Sequence, residues 1–161
     1  MSKLFKLAKK IEDDKKSKNS SAKMLNEYVG MLRGLIIIHQ TAHWTCDGDE
    51  YYGQHLLFNR LYENVSEDLD LAAEKLIGVF GVEHMNTQAH IEIAKTFIDE
   101  YTNKDLTERS LEAEVVFLAF SEELYNSIKD AGDMSLGLDD MIMSISSNHE
   151  ENVYLLKQQS K

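Results

Sequence analysis

The sequence predicts an all-α protein: a bundle of four long helices, with a short helix in the connection between helices 2 and 3. Three observations predict it. The 161 residues include no proline and only eight glycines, so little interrupts a helix. Apolar residues recur at spacings of three and four through most of the chain. The stripes break at Gly48 to Gly53, Gly81 and Gly132, which leaves segments of bundle length between them.

Residues 1–19 read as a basic N-terminal arm, and residues 20–161 as the helical domain. Ser20 and Ser21 suit the cap of the first helix, whose stripe runs Leu25, Tyr28, Val29, Leu32, Leu35 and Ile36 and continues through His39 and His43. An acidic loop (Asp47, Asp49, Glu50) leads to the second helix. Its stripe holds His55, Phe58, Tyr62, Val65, Leu69, Ala72, Leu76 and Phe80. Thr87 to Tyr101 forms the short connecting helix. The third long helix runs from Thr107 to about Ala131, and the fourth from Ser135 to about Gln158.

Composition narrows the function. Apolar runs such as Leu35 to Ile38 are far short of a membrane span, so no membrane partner is expected. Lysines 6, 9 and 10 interrupt any signal-peptide apolar region. The single cysteine, Cys46, forms no intrachain disulfide and fits a reducing cytoplasm. The net charge of −11 is uneven, because residues 1–23 carry eight lysines against Glu12, Asp13 and Asp14. The acidic body repels nucleic acid and attracts cations. The arm has two readings. Its lysines suit sequence-independent contact with DNA phosphates, which would make the protein nucleoid-associated. Leu4, Leu7, Ala8 and Ile11 have the spacing of an amphipathic helix that docks on protein.

Four helices rich in carboxylates suggest a di-iron bundle, which needs Glu-x-x-His on two helices. Ile36, Gln40, Tyr52, Gly81, Thr87 and Ser146 stand three residues before the histidines, so that motif is absent and a centre of that kind inside one bundle is not expected. The candidate ligands fall elsewhere. With His55 at zero, Asn59, Asp70 and Glu74 lie at roughly 40°, 60° and 100° around one helix, a single face. His55 and Glu74 are nevertheless about 28 Å apart at ~1.5 Å per residue, too far to share a cation within one chain. A second copy lying antiparallel about a two-fold axis near Asn64 and Val65 would bring Asp70 and Glu74 of one chain to His43 and His55 of the other.

His43-Trp44 with Gly48, then His55, then Leu69-Asp70-x-Ala72-Ala73-Glu74-Lys75 resembles the Dps family of mini-ferritins, the starvation-induced DNA-binding proteins. Ala131-Gly132-Asp133, His149-Glu150 and Tyr154-Leu155-Leu156 extend the resemblance over roughly residues 22–158. It implies a ferritin-like four-helix subunit, a hollow homo-oligomer (a dodecamer built from two-fold dimers), and oxidation of Fe2+, preferably by hydrogen peroxide. It further implies Fe3+ storage and protection of DNA in the cytoplasm. The iron ligands it implies are His43, His55, Asp70 and Glu74, with Asn59 where the family has an aspartate. An amide is a weaker ligand than a carboxylate, so affinity or oxidation rate should fall; a cage whose ferroxidase function has decayed is the alternative. Glu63 or His39 could partly substitute. His39 otherwise reads as a core or interface histidine, and His84, His90 and His149 as ordinary helix or loop residues. Trp44 reads as a packing residue, and Asp130 and Asp133 as pore-lining acids or a solvated helix end.

Overall fold

The computed structural model describes residues 3–101 and 104–160; the side chains of residues 3–15 and 17 lie outside that description, and so do both readings of the arm. Four long helices, α1 (Lys3–Thr45), α2 (Tyr51–Phe80), α4 (Leu106–Asp130) and α5 (Leu136–Gln159), pack as a bundle. The short helix α3 (Thr87–Tyr101) lies in the connection between α2 and α4, as the sequence led us to expect. No helix among the described residues is long and apolar enough to cross a membrane.

Two helix starts differ from expectation. The α1 backbone is already helical at Lys3, because the lysine-rich segment holds good helix formers and no glycine or proline. Ser20 and Ser21 therefore cap nothing. Ser21 is buried instead, and its hydroxyl donates to Asp133 Oδ2 at 2.7 Å, which ties α1 to the turn before α5. Helix α4 starts one residue early because Asp105 is its cap, accepting from the Thr107 and Glu108 amides at 3.0 Å each. Ser135 caps α5 through the Leu138 amide. Gly132, at φ +76°, ends α4 in the left-handed conformation that glycine adopts without strain.

The apolar faces merge into one core, with Tyr28 stacked on Phe117 at 4.6 Å between ring centres. A smaller cluster (Ala42, Cys46, Phe58, Leu61, Leu156) fills the bundle end beside the α1–α2 turn. Helix α3 lies close over α1: a Cβ on Gly34 would stand 2.8 Å from the Phe97 ring. Gly34→Val should therefore cost about 1–3 kcal/mol by overpacking, read from denaturant unfolding, whereas exposed Gly78, with open space around it, should tolerate Ala.

The centre of this core is polar. Among the described residues, each long helix places one carboxylate or imidazole in its buried stripe: His39, Asp68, Glu114 and His149. Glu114 bridges two imidazoles. Its Oε1 accepts from His39 Nε2 at 2.7 Å and its Oε2 from His149 Nδ1. His149 Nε2 lies 3.4 Å from Asp68 Oδ2. Burial alone would raise the Glu114 pKa, but the His149 charge and the bonds from both histidines hold it at about 2. Burial would lower that of His149; the Glu114 charge, the Asp68 carboxylate facing it and the bond to Glu114 outweigh it and raise it to about 9. The signs follow by linkage. The raised His149 stabilises the fold fully below its ordinary 6.5, and that contribution is lost as pH climbs through about 9. The lowered Glu114 stabilises above its ordinary 4.5, and that contribution is lost as pH falls through about 2. Thermal unfolding across pH should show this contribution at its maximum between 4.5 and 6.5. Glu114→Gln should remove about 3–5 kcal/mol at that plateau, the scale of breaking a buried ion pair, because it takes away the carboxylate that bonds both imidazoles and leaves His149 only Asp68.

Candidate metal site

The turn between α1 and α2 builds the first half of the site. His43 occupies the last turn of α1 and His55 the second turn of α2, and the intervening loop folds tightly, with Gly48 at φ +77°. The rings stack at 3.8 Å between centres. Each donates from Nδ1 to the other residue's main-chain carbonyl: His43 to His55 O at 2.9 Å, and His55 to His43 O at 3.0 Å. A carbonyl can only accept, so both Nδ1 atoms carry the proton. In the neutral rings both Nε2 atoms then keep a lone pair, the form that ligates a metal. The exposed carbonyl end of α1 adds partial negative charge beside them. Tyr51 stacks on His55 at 5.1 Å and Tyr62 meets His43 edge-on at 5.4 Å. Cys46 is buried under the turn, its thiol facing His43 O.

Asn59 sits one turn beyond His55, and its amide oxygen already accepts from Tyr62 Oη at 3.0 Å. Asp70 and Glu74 are exposed on the same helix, α2, which is unbroken from Tyr51 to Phe80. The structure thus brings His43, His55 and Asn59 together and leaves Asp70 and Glu74 far along the rod. Among the described residues, no three His, Cys, Asp or Glu side chains of one chain could hold a metal ion.

Trp44 is 67% exposed rather than packed within the chain. His39 cannot stand in for Asn59, because it is fully buried and bonded to Glu114. His149 and His90 lie on helices, and both are fully buried, His149 between Glu114 and Asp68, and His90 against Asn26 Oδ1 at 2.6 Å. Sequence reasoning passed over Asp68 and Glu114. The signal was present, since each is a charged residue in an otherwise buried helical stripe.

No family model matches the chain. General stress protein 20U of Bacillus subtilis (strain 168) is 26% identical over 119 residues, which cover 71% of this chain and 79% of that protein. Among solved structures, the chain is similar to Dps from Thermosynechococcus elongatus, with TM-score 0.75 and 15% identity over 92% of this chain and 94% of that one. It is similar to the DPS protein of Vibrio cholerae O1, described as a member of a broad superfamily of ferritin-like diiron-carboxylate proteins: TM-score 0.77, 17% identity, 91% and 92% covered. Dps from Microbacterium arborescens in its high-iron form gives TM-score 0.71 at 14% identity, with 90% and 95% covered. The chain has the ferritin-like all-α fold of the Dps proteins, the family that its sequence motifs resemble.

Proposed function

We propose that this chain is a Dps-like mini-ferritin. Copies pair through the α1–α2 face and build a hollow homo-oligomer, a dodecamer of two-fold dimers. Fe2+ is oxidised, preferably by hydrogen peroxide, at sites shared between two copies, and Fe3+ is stored inside. Two Fe2+ together supply the two electrons that reduce one peroxide, so both reactants of hydroxyl-radical chemistry are removed and DNA is protected in the cytoplasm.

The observation that carries this reading is the reciprocal imidazole clamp, which fixes both tautomers and leaves two ring nitrogens for a cation. The exposed face of α2 supports it. Tyr52 (73% exposed), Leu56 (51%) and Ile77 (41%) lie at roughly 60°, 100° and 40° on the His55 scale, around Asp70 and Glu74. Apolar side chains left exposed around charged ones suit an interface. In the antiparallel register, Tyr52 of one copy falls opposite Ile77 of the other, and Asn59 opposite Asp70. His43 and His55 supply neutral nitrogen, and the partner's Asp70 and Glu74 supply carboxylates that favour the ferric product. Asn59 offers the cation only the second lone pair of an oxygen already bonded to Tyr62. That engaged oxygen favours one alternative, a cage of the same fold with weakened ferroxidase activity.

Anaerobic Fe2+ loading followed by peroxide separates the two. The ferroxidase reading expects rapid oxidation that falls about 100-fold or more in His43→Ala and in Glu74→Ala, the scale of losing a metal ligand or its supporting partner. No oxidation above background in the unaltered protein leaves the cage alone. The arm is tested separately: if its lysines bind DNA, removing residues 1–18 should flatten the salt dependence of DNA retention, by about one in log–log slope for each phosphate that the lysines neutralise.

A further inference from the structure

His39, Asp68, Glu114 and His149 meet at the bundle centre, one from each long helix and none more than 5% exposed. Carboxylate-bound metal centres in helical bundles are built there, from inward-facing side chains that include four glutamates and two histidines. The residues here do not fit such a group. Both Glu114 oxygens are engaged, Oε1 by His39 Nε2 at 2.7 Å and Asn152 Nδ2 at 3.1 Å, and Oε2 by His149 Nδ1. His39 Nδ1 faces the Ser110 hydroxyl at 3.3 Å, and Asp68 Oδ1 accepts from Asn148 Nδ2 at 3.0 Å. Within the cluster, Asp68 Oδ2 and His149 Nε2 alone lack a hydrogen-bond partner, and they face each other at 3.4 Å. Two donors of opposite sign make an ion pair, and too few ligands for a cation.

We propose that these four residues form a proton-held clasp: imidazole protons occupy the place of a core metal ion, face the buried carboxylates and join all four long helices. The charge requirement explains its composition. A carboxylate cannot stay ionised in an apolar core without a counter-charge, and His149, bonded to Glu114 and facing Asp68, provides one. A cation entering the centre would have to displace those protons and break the Glu114 bonds. The bundle centre is therefore closed to metal, whether or not copies share a site at their surface.

Two measurements on the full chain test this. Nitrogen-15 NMR of the histidine rings reads the protons in the unaltered protein. At pH 7 His149 should carry a proton on both nitrogens; a singly protonated His149 ring overturns the clasp. The second uses His43→Ala/His55→Ala protein, stripped with chelator and dialysed against Co2+ alone, with visible absorption and thermal unfolding as readouts. Core uptake should stay below about one-tenth Co2+ per chain, with the melting temperature unmoved by Co2+ or chelator. Co2+ bands that persist when Glu114→Gln is added arise outside the core and agree with the proposal. Near-stoichiometric Co2+ that raises the melting temperature, and is lost in Glu114→Gln and in His149→Gln alike, overturns it.

Discussion

A helix cannot bend to bring two of its own ends together. Helix α2 runs unbroken from Tyr51 to Phe80, so the carboxylates of Asp70 and Glu74 are fixed about 22 and 28 Å from His55 by the helical rise alone. Everything proposed about iron follows from that rigidity. A metal can be held by both groups only if a second α2 lies beside the first in the opposite direction, and two-fold symmetry then generates two equivalent sites. Half-sites carried by an inflexible rod make the chemistry conditional on assembly.

The interior keeps the rod and its neighbour in register. His39 lies one turn before His43 on α1, and Asp68 lies two residues before Asp70 on α2. Both belong to the buried cluster that Glu114 and His149 complete from the other two helices. An apolar core of the same volume could be as stable, because a buried ion pair offsets its desolvation only with good geometry. Directional bonds differ in that they tolerate little rotation or sliding of one helix against another. Around them, the main apolar core, in which Tyr28 stacks on Phe117, supplies most of the burial, and the smaller cluster beneath the α1–α2 turn adds to it.

Much of the fold was legible in the sequence. Helical spacing located all four long helices and the connecting one, because the stripes are long and glycine punctuates them. The misreadings came from side chains with two uses. Ser20 and Ser21 resemble a cap, yet the helix continues through them because the preceding residues are helix formers and Asp133 claims the Ser21 hydroxyl. Trp44 is apolar and was expected to pack, but it stands exposed. Of the candidate site, His55 and Asn59 lie one turn apart on α2, as their spacing required, and the α1–α2 turn brings His43 onto His55. The reciprocal carbonyl bonds and the Tyr62 contact depend on the turn's three-dimensional shape, which spacing does not encode. The buried charges were individually visible as Asp68, Glu114 and His149 within apolar stripes. Their convergence is a property of how four helices pack, and no single stripe contains it.

The most direct measurement is complementation between two crippled chains. One carries His43→Ala and His55→Ala, the other Asp70→Ala and Glu74→Ala; each alone should oxidise Fe2+ no faster than background. Unfolded together and reassembled at equal amounts, half of the dimers are mixed and each of those holds one intact site, so roughly a quarter of the native activity should return. No recovery from a mixture shown to co-assemble, or full activity in either variant alone, would contradict a site shared between two copies.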